Sequence, residues 1–275
     1  MTSESDLSAG QPDWLPPDVD VSRPNAARVY DVYLGGAHNF QIDREFAKRA
    51  KDLLPEVISM ARMNRAFLQR AVTELTRSGI DQFLDLGSGI PTVGNVHQVA
   101  QRINPDAKVV YVDNEAVAVA HSALILEDNP NADVVQADVR EPDQVLTAEV
   151  TRQLLDFSRP VAVIMCTIVH FVSDEDDPDA VVRAYRDAFV PGSYLALSHA
   201  TSYNRPDVEG VRAAYSQTAN PVTARTKERI QRFFDGYEML EPGLVFTPQW
   251  RPDHPADVGD DPENAGLYAG VGRRL

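Results

Sequence analysis

The sequence predicts an α/β protein, built on a doubly wound, mainly parallel sheet with a late antiparallel strand pair and an N-terminal helical cap. Three observations carry this. Between Asp81 and Ala200, short runs apolar on both faces alternate with helical stretches, which is the pattern of a parallel sheet covered on both sides. Within that region Phe83-Leu-Asp-Leu-Gly-Ser-Gly-Ile-Pro91 reads as a buried strand breaking into a glycine turn, and glycine lets the backbone turn sharply and approach a ligand. Residues 23–80, by contrast, read as helices throughout.

Taken in order, residues 1–22 are rich in Ser, Asp and Pro, with Trp14-Leu15 as the apolar foothold, and are expected to form a flexible arm. Asn25 suits an N-cap, Val29, Tyr33 and Leu34 follow at helical spacing, and Gly35-Gly36 ends the helix. The loop of Gly35, Gly36, His38, Asn39 and Phe40 either faces a ligand or is a plain helix end. A second helix is expected over Asp43–Leu54 and a third from Glu56 to Ser78, opened by Pro55 and stopped by Gly79. Residues 23–80 thus form a cap that folds with the main body, residues 81–275.

In the main body the expected strands are Phe83–Leu86, Lys108–Asp113, Asp133–Ala137, Val161–Thr167 and Ser193–His199. Helices fall near Val93–Arg102, Ala116–Asp128, Leu146–Asp156 and Asp179–Phe189, with prolines at the joints. Val208–Thr218 and Ala224–Phe234 follow as helices. Gly243–Trp250 and Leu267–Gly272 then form the late strands, expected to pair antiparallel at one edge of the sheet.

Composition narrows the partners. The 275 residues carry 26 Lys and Arg against 41 Asp and Glu, a formal charge of −15, which disfavours nucleic acid. Arg44, Lys48, Arg49 and Lys51 fit a solvated helix face. No apolar stretch approaches the roughly 20 residues needed to span a bilayer, and the acidic start lacks the apolar segment of a signal peptide. Cys166 is the single cysteine; it excludes an internal disulfide and suits a cytoplasmic location. No His, Asp or Glu group shows metal-ligand spacing, so no metal is expected.

In an open parallel sheet a ligand lies beyond the carboxyl ends of the strands, where their order reverses. The residues there are Asp85, Gly87, Ser88 and Gly89, then Asp113 and Asn114, then Asp138 and Val139, and last Cys166, Thr167 and His170. Three carboxylates converging on one ligand suit hydroxyls, amines and a positive charge. Asp113 is placed to hold a ribose diol, Asp138 an adenine amino group with the Val139 amide on a ring nitrogen, and Asp85 with the glycine turn an ammonium-bearing tail.

This constellation resembles the class I S-adenosylmethionine-dependent methyltransferases, in which an acid and Gly-x-Gly end the first strand and acids end the next two. Pro91 stands where a third glycine is common. The wider pattern is closer still to one group: Ala27-Arg-Val-Tyr-Asp-x-Tyr-Leu-Gly-Gly-x-x-Asn-Phe40, Asp43-Arg-Glu45, Arg62-x-Asn-Arg-Ala-Phe67 and Phe83-Leu-Asp-x-Gly-Ser-Gly-x-Pro-Thr92 with Asn95-Val-His97. It resembles the actinobacterial S-adenosyl methyltransferase-like proteins long catalogued as a domain of unknown function. The resemblance implies a Rossmann-like methyltransferase fold and S-adenosylmethionine as cosubstrate, without naming the acceptor.

On that footing a small-molecule methyl acceptor is expected. A cosubstrate-binding sensor or accessory protein without turnover is the alternative. A nicotinamide-dependent oxidoreductase is a further one, disfavoured because Thr92 stands where Gly-x-Gly-x-x-Gly needs its last glycine. His170 is the candidate general base, or else a packing residue over the adenosyl group, and His199 is a weaker candidate. Cys166 reads as a core residue. The cap, with Tyr30, Tyr33, the Gly35-Gly36 loop and Phe40, is expected to close as a lid, and Arg65 to pair with the cosubstrate carboxylate; covering a sheet face is its competing role.

Overall fold

The computed structural model describes residues 19–275, apart from 93, 202–205 and 217; Trp14 and most of the expected arm therefore lie outside the described residues. The eight strands are β1 (Gln82–Leu86), β2 (Lys108–Asp113), β3 (Ala132–Gln136), β4 (Ala162–Cys166), β5 (Tyr194–Ala200), β6 (Tyr237–Met239), β7 (Val245–Phe246) and β8 (Leu267–Arg274). They form one sheet in the order β3-β2-β1-β4-β5-β8-β6, with β7 also paired to β8. β1 to β5 are parallel neighbours, and β8 runs antiparallel to β5, β6 and β7.

Alternation along the strands explains the layers. Leu84, Leu86, Val110, Val112, Val163 and Met165 pack on one face of the sheet, against α6 (Pro142–Thr147), α7 (Glu149–Leu154) and α8 (Pro178–Ala188). Phe83, Val109, Tyr111 and Ile164 pack on the other, against α3 (Val57–Arg77) and α4 (Val96–Ile103). Each such side chain, fully withdrawn from water, contributes about 1.5–3 kcal/mol of transfer free energy. α5 (Ala116–Leu126) sets Val117 and Ala118 against Ile90 beside the glycine turn.

The cap forms as its caps and stops dictate. The Asn25 side chain accepts from the Ala27 amide to open α1 (Ala26–Tyr33), and Gly35 at φ +79° follows its end. α2 (Gln41–Leu53) and α3 complete it. Val29, Tyr33, Phe46, Ala47, Ala50, Leu54 and Val57 share a small core with Val211 and Ala214 of α9 (Pro206–Tyr215). The late helix α9 is therefore part of the cap's packing.

Three expectations need correction. The late strands do pair, Val245 with Ala269 and Phe246 with Tyr268, but β8 lies inside the sheet and the edge strand is β6, which the sequence reading left unassigned. A Cβ on Gly270 or Gly272 would fall 2.7 Å from Met239 Cε or 2.8 Å from Tyr237 Cβ, so these glycines let β6 lie close. The stretch Leu146–Asp156 is broken at Ala148, whose ψ of 139° leaves the helical region. Of Ala224–Phe234, only Lys227–Gln231 is α-helix (α10), capped by Thr226 and followed by a 3₁₀ turn at Arg232–Phe234.

Candidate functional site

Strand order reverses between β1 and β4. Over the carboxyl ends of the strands there, beneath α1, α3 and α9, lies a cavity of about 470 Å³, within the range of small-molecule sites. Asp85, Gly87, Ser88, Gly89, Asp113, Asn114, Asp138, Val139, Thr167, Tyr30, Arg65 and His170 all line it.

The glycine turn forms its floor. Gly87 and Gly89 sit at φ +67° and +65°, backbone angles that other residues adopt with strain. A Cβ on Gly87 would also lie 2.4 Å from the Ile168 side chain. The Gly89 amide donates to Asp113 Oδ2 at 2.7 Å, and the Glu115 amide to Asp113 Oδ1 at 2.9 Å. Burial nonetheless pushes the Asp113 carboxyl up to about 6. Asp85 is pushed up to about 7 by burial, which exceeds the opposing pull of the Arg65 guanidinium, and the neighbouring Asp113 adds to the rise. Arg65 itself donates to Asn95 Oδ1 at 2.5 Å.

Asp138 is different. It is paired with Arg140 through Nη2 at 2.7 Å and Nε at 3.0 Å and accepts the Arg140 amide at 2.8 Å. Partial burial works against ionisation, but these bonds hold the carboxyl below its ordinary value.

At the end of β4, Thr167 takes φ 56°, an outlier for a β-branched residue. Its amide donates to Ser198 O and Oγ at 3.0 and 3.1 Å. Ser198 Oγ donates to Asn64 Oδ1 at 2.6 Å, and Asn64 Nδ2 donates to Tyr30 OH at 3.0 Å and Thr167 Oγ1 at 3.4 Å. Tyr30 OH in turn donates to Ala61 O at 3.0 Å. A buried polar chain thus joins cap helices α1 and α3 to β5 and the end of β4 at the cavity wall. Asn64 was absent from the expected site residues, although a polar residue between Ala61 and Leu68 on one apolar helix face was the signal.

The general-base role expected of His170 does not fit its surroundings. Its Nδ1 accepts the Ala200 amide at 3.3 Å, which leaves the proton on Nε2 and makes the ring a donor. Burial first, then the Arg225 charge, lower its pKa to about 3. His199 is also committed: Nδ1 lies 2.8 Å from Ala200 O, and Nε2 accepts from Arg225 Nη1 at 2.9 Å. Arg225 further binds Val169 O, Val172 O and Asp174, fixing the loop after β4. Cys166 is partly buried: it packs against the core on one side, lines the cavity on the other, and desolvation pushes its thiol upward.

Gly35, Gly36 and Asn39 do not line the cavity. Asp31 organises their loop instead: Oδ2 accepts from the His38 amide at 2.9 Å and Asn39 Nδ2 at 2.8 Å. A Cβ on Gly36 would come within 1.9 Å of Asp31 Oδ1. Phe40 packs with Ile90, Val117 and Ala118.

A sequence profile of the S-adenosyl methyltransferase family matches residues 12–275. The chain belongs to this family. A candidate methyltransferase from Thermobifida fusca YX is 42% identical, with a TM-score of 0.90 over 96% of this chain and 99% of that one. A DUF574-family protein from Streptomyces avermitilis MA-4680 is 37% identical, with a TM-score of 0.90 over 93% and 99%. No functionally curated protein matches the sequence. The family's cosubstrate, S-adenosylmethionine, fits what lines the cavity: buried carboxylates on neighbouring strands and a turn with no side chain at Gly87 or Gly89. This S-adenosyl methyltransferase is accordingly an S-adenosylmethionine-dependent enzyme, which sets the nicotinamide alternative aside. Among its described residues no helix is long and apolar enough to cross a membrane, and no cluster of three His, Cys, Asp or Glu side chains could hold a metal ion.

Proposed function

We propose that the protein transfers a methyl group from S-adenosylmethionine to a small acceptor held under the helical cap. The observation that carries this reading is the pair of buried carboxylates, Asp85 and Asp113, beside the Gly87–Gly89 turn in a cavity roofed by helices. When bound, S-adenosylmethionine supplies a methyl carbon to an attacking lone pair, the C–S bonding pair staying on sulfur and the acceptor's proton leaving to solvent.

The chain's own residues have four tasks in this reading. Asp113, already fixed by two backbone amides, accepts from vicinal hydroxyls. Asp85 faces an ammonium group, whose charge would replace the desolvation that now raises its pKa. Arg65, beside Asp85, attracts a carboxylate. Tyr30 and Asn64 hold the roof against β4 and β5, which aligns the partners and excludes water, the main demands of an in-line displacement.

Calorimetric titration with S-adenosylmethionine tests the reading. Saturable one-to-one binding is expected, weaker by about 1–3 kcal/mol in Asp113→Ala, as for a lost buried hydrogen-bonding partner. Absence of binding to the folded protein would overturn it.

A further inference from the structure

Among the described lining residues, the charged side chains gather at one end of the cavity. Asp85 and Asp113 lie on β1 and β2, Glu115 follows Asp113, and Arg65 acts on Asp85. Beyond β3, Arg140 joins Asp138 at 2.7 Å and Asp176 at 3.5 Å. These account for all the Asp, Glu, Lys and Arg side chains among its described lining residues.

The opposite end, over β5 and β8, is walled by Leu54, Val57, Met60, Val211, Tyr215 and Leu267. Leu267 opens β8 opposite Ala200 of β5, so the register sets the floor there. Met60 closes the roof onto it: a Cβ on Gly266 would fall 2.4 Å from Met60 Cε, so the methionine tip rests on the Gly266 backbone. Tyr33 and Tyr215 bring their hydroxyls within 3.3 Å of each other on the same side, and burial raises both phenols. From β3 to β8 is five strand spacings, ~24 Å at ~4.8 Å each. Cosubstrate and acceptor therefore have separate ends to occupy.

Resting on the methyl-transfer reading, we infer that the β5–β8 end is the acceptor compartment, that it takes an uncharged, predominantly apolar molecule, and that Met60 sets its depth. A formal charge placed there would lose its water and meet no counter-charge among the described lining residues, since Arg225 behind His170 is held by His199, backbone carbonyls and Asp174. Apolar and aromatic surface would meet matching walls.

The test uses the full chain saturated with S-adenosylhomocysteine, titrated with 2-naphthol and, separately, with 6-hydroxy-2-naphthoate, the same ring system bearing a carboxylate. 2-Naphthol is expected to bind at least tenfold more tightly than the naphthoate. Met60→Trp should weaken 2-naphthol at least tenfold and leave S-adenosylhomocysteine affinity unchanged. Equal binding of the two probes, preference for the naphthoate, no binding of 2-naphthol, or unchanged 2-naphthol affinity in folded Met60→Trp would each overturn the inference. If Met60→Trp does not fold, the two-probe comparison in the unmodified protein decides alone. Failure of S-adenosylhomocysteine itself to bind would overturn the methyl-transfer reading and this inference with it, and is seen in its own titration.

Discussion

The Gly89 amide donates a 2.7 Å hydrogen bond to Asp113 Oδ2, tying the turn after β1 to the end of β2. The carboxylate that would hold a ligand's hydroxyls is thus also part of the floor. Its burial makes the charge expensive, as the rise to about 6 records. Asp113→Asn removes that charge and keeps one acceptor oxygen. At pH 7 the gain from removing the buried charge is opposed by the Asn NH2, which must face one of the two amides that Asp113 accepts. The stability of Asp113→Asn in urea unfolding is therefore expected to stay within about 1–3 kcal/mol of the parent, while S-adenosylmethionine binds about 1–3 kcal/mol more weakly. A variant that lost stability and kept affinity would show Asp113 to be structural only.

Asp85 links the site to pH. Its ordinary value is 3.8 and burial raises it to about 7 in the folded chain. A group raised in this way contributes stability that is full below about pH 4 and is lost as pH rises through 7. Asp85→Asn is therefore expected to flatten the fall in Tm between pH 4 and 7 relative to the parent. Pairing with an ammonium requires the ionised carboxyl, so S-adenosylmethionine affinity should rise from pH 6 to 8. Binding near pH 6.5 should release a proton, read by calorimetry in buffers of different ionisation enthalpy. Affinity that falls across the same window would contradict the pairing.

The sheet from β1 to β5 was legible because β1, β2, β4 and β5 are largely apolar on both faces and most joints carry a proline or glycine, the Asn114-Glu115 joint after β2 being an exception. The carboxyl-end residues followed from topology alone. What escaped the sequence depends on distant partners. β6 is three residues long, too short to show a period, and owes its place to two glycines on β8. The role of His170 is decided by an amide thirty positions away, at Ala200. Asp138 is conditioned by Arg140, two residues on, where a sequence shows proximity and not pairing. Asn64 was visible only as an oddity on an apolar helix face.

The Gly35-Gly36 loop offers a direct contrast between ligand contact and local architecture. A methyl group at residue 36 would overlap Asp31 Oδ1, and Asp31 is a buried carboxylate bonded to the His38 amide and Asn39. Gly36→Ala is expected to lower unfolding free energy by about 1–3 kcal/mol, the usual size of an overpacking strain. S-adenosylmethionine affinity should stay within twofold, because the loop does not line the cavity. Loss of affinity at unchanged stability would restore the loop to the binding site.

Arg28 carries the strongest expectation for stability. It is buried with Asp43 and Glu115, Nε lying 2.8 Å from Asp43 Oδ2 and Nη1 2.8 Å from Glu115 Oε1. Its remaining nitrogen, Nη2, donates to Asp20 O and Arg23 O. One planar fork thus serves four acceptors from the chain before α1, from α2 and from the segment after Asp113. Arg28→Met would leave the fully buried Asp43 with only the Asn25 and Phe40 amides at 3.1 and 2.9 Å. Breaking a buried pair by removing one partner costs about 3–5 kcal/mol, and urea unfolding of Arg28→Met should show a loss of that size. Arg28→Lys should recover little of it, since a single ammonium cannot reproduce the fork. Adding Asp43→Asn to Arg28→Met removes the orphaned charge and should restore part of the stability. Failure of that rescue would mean that packing of the Arg28 stem, and not its charge, joins the cap to the strand that bears Asp113.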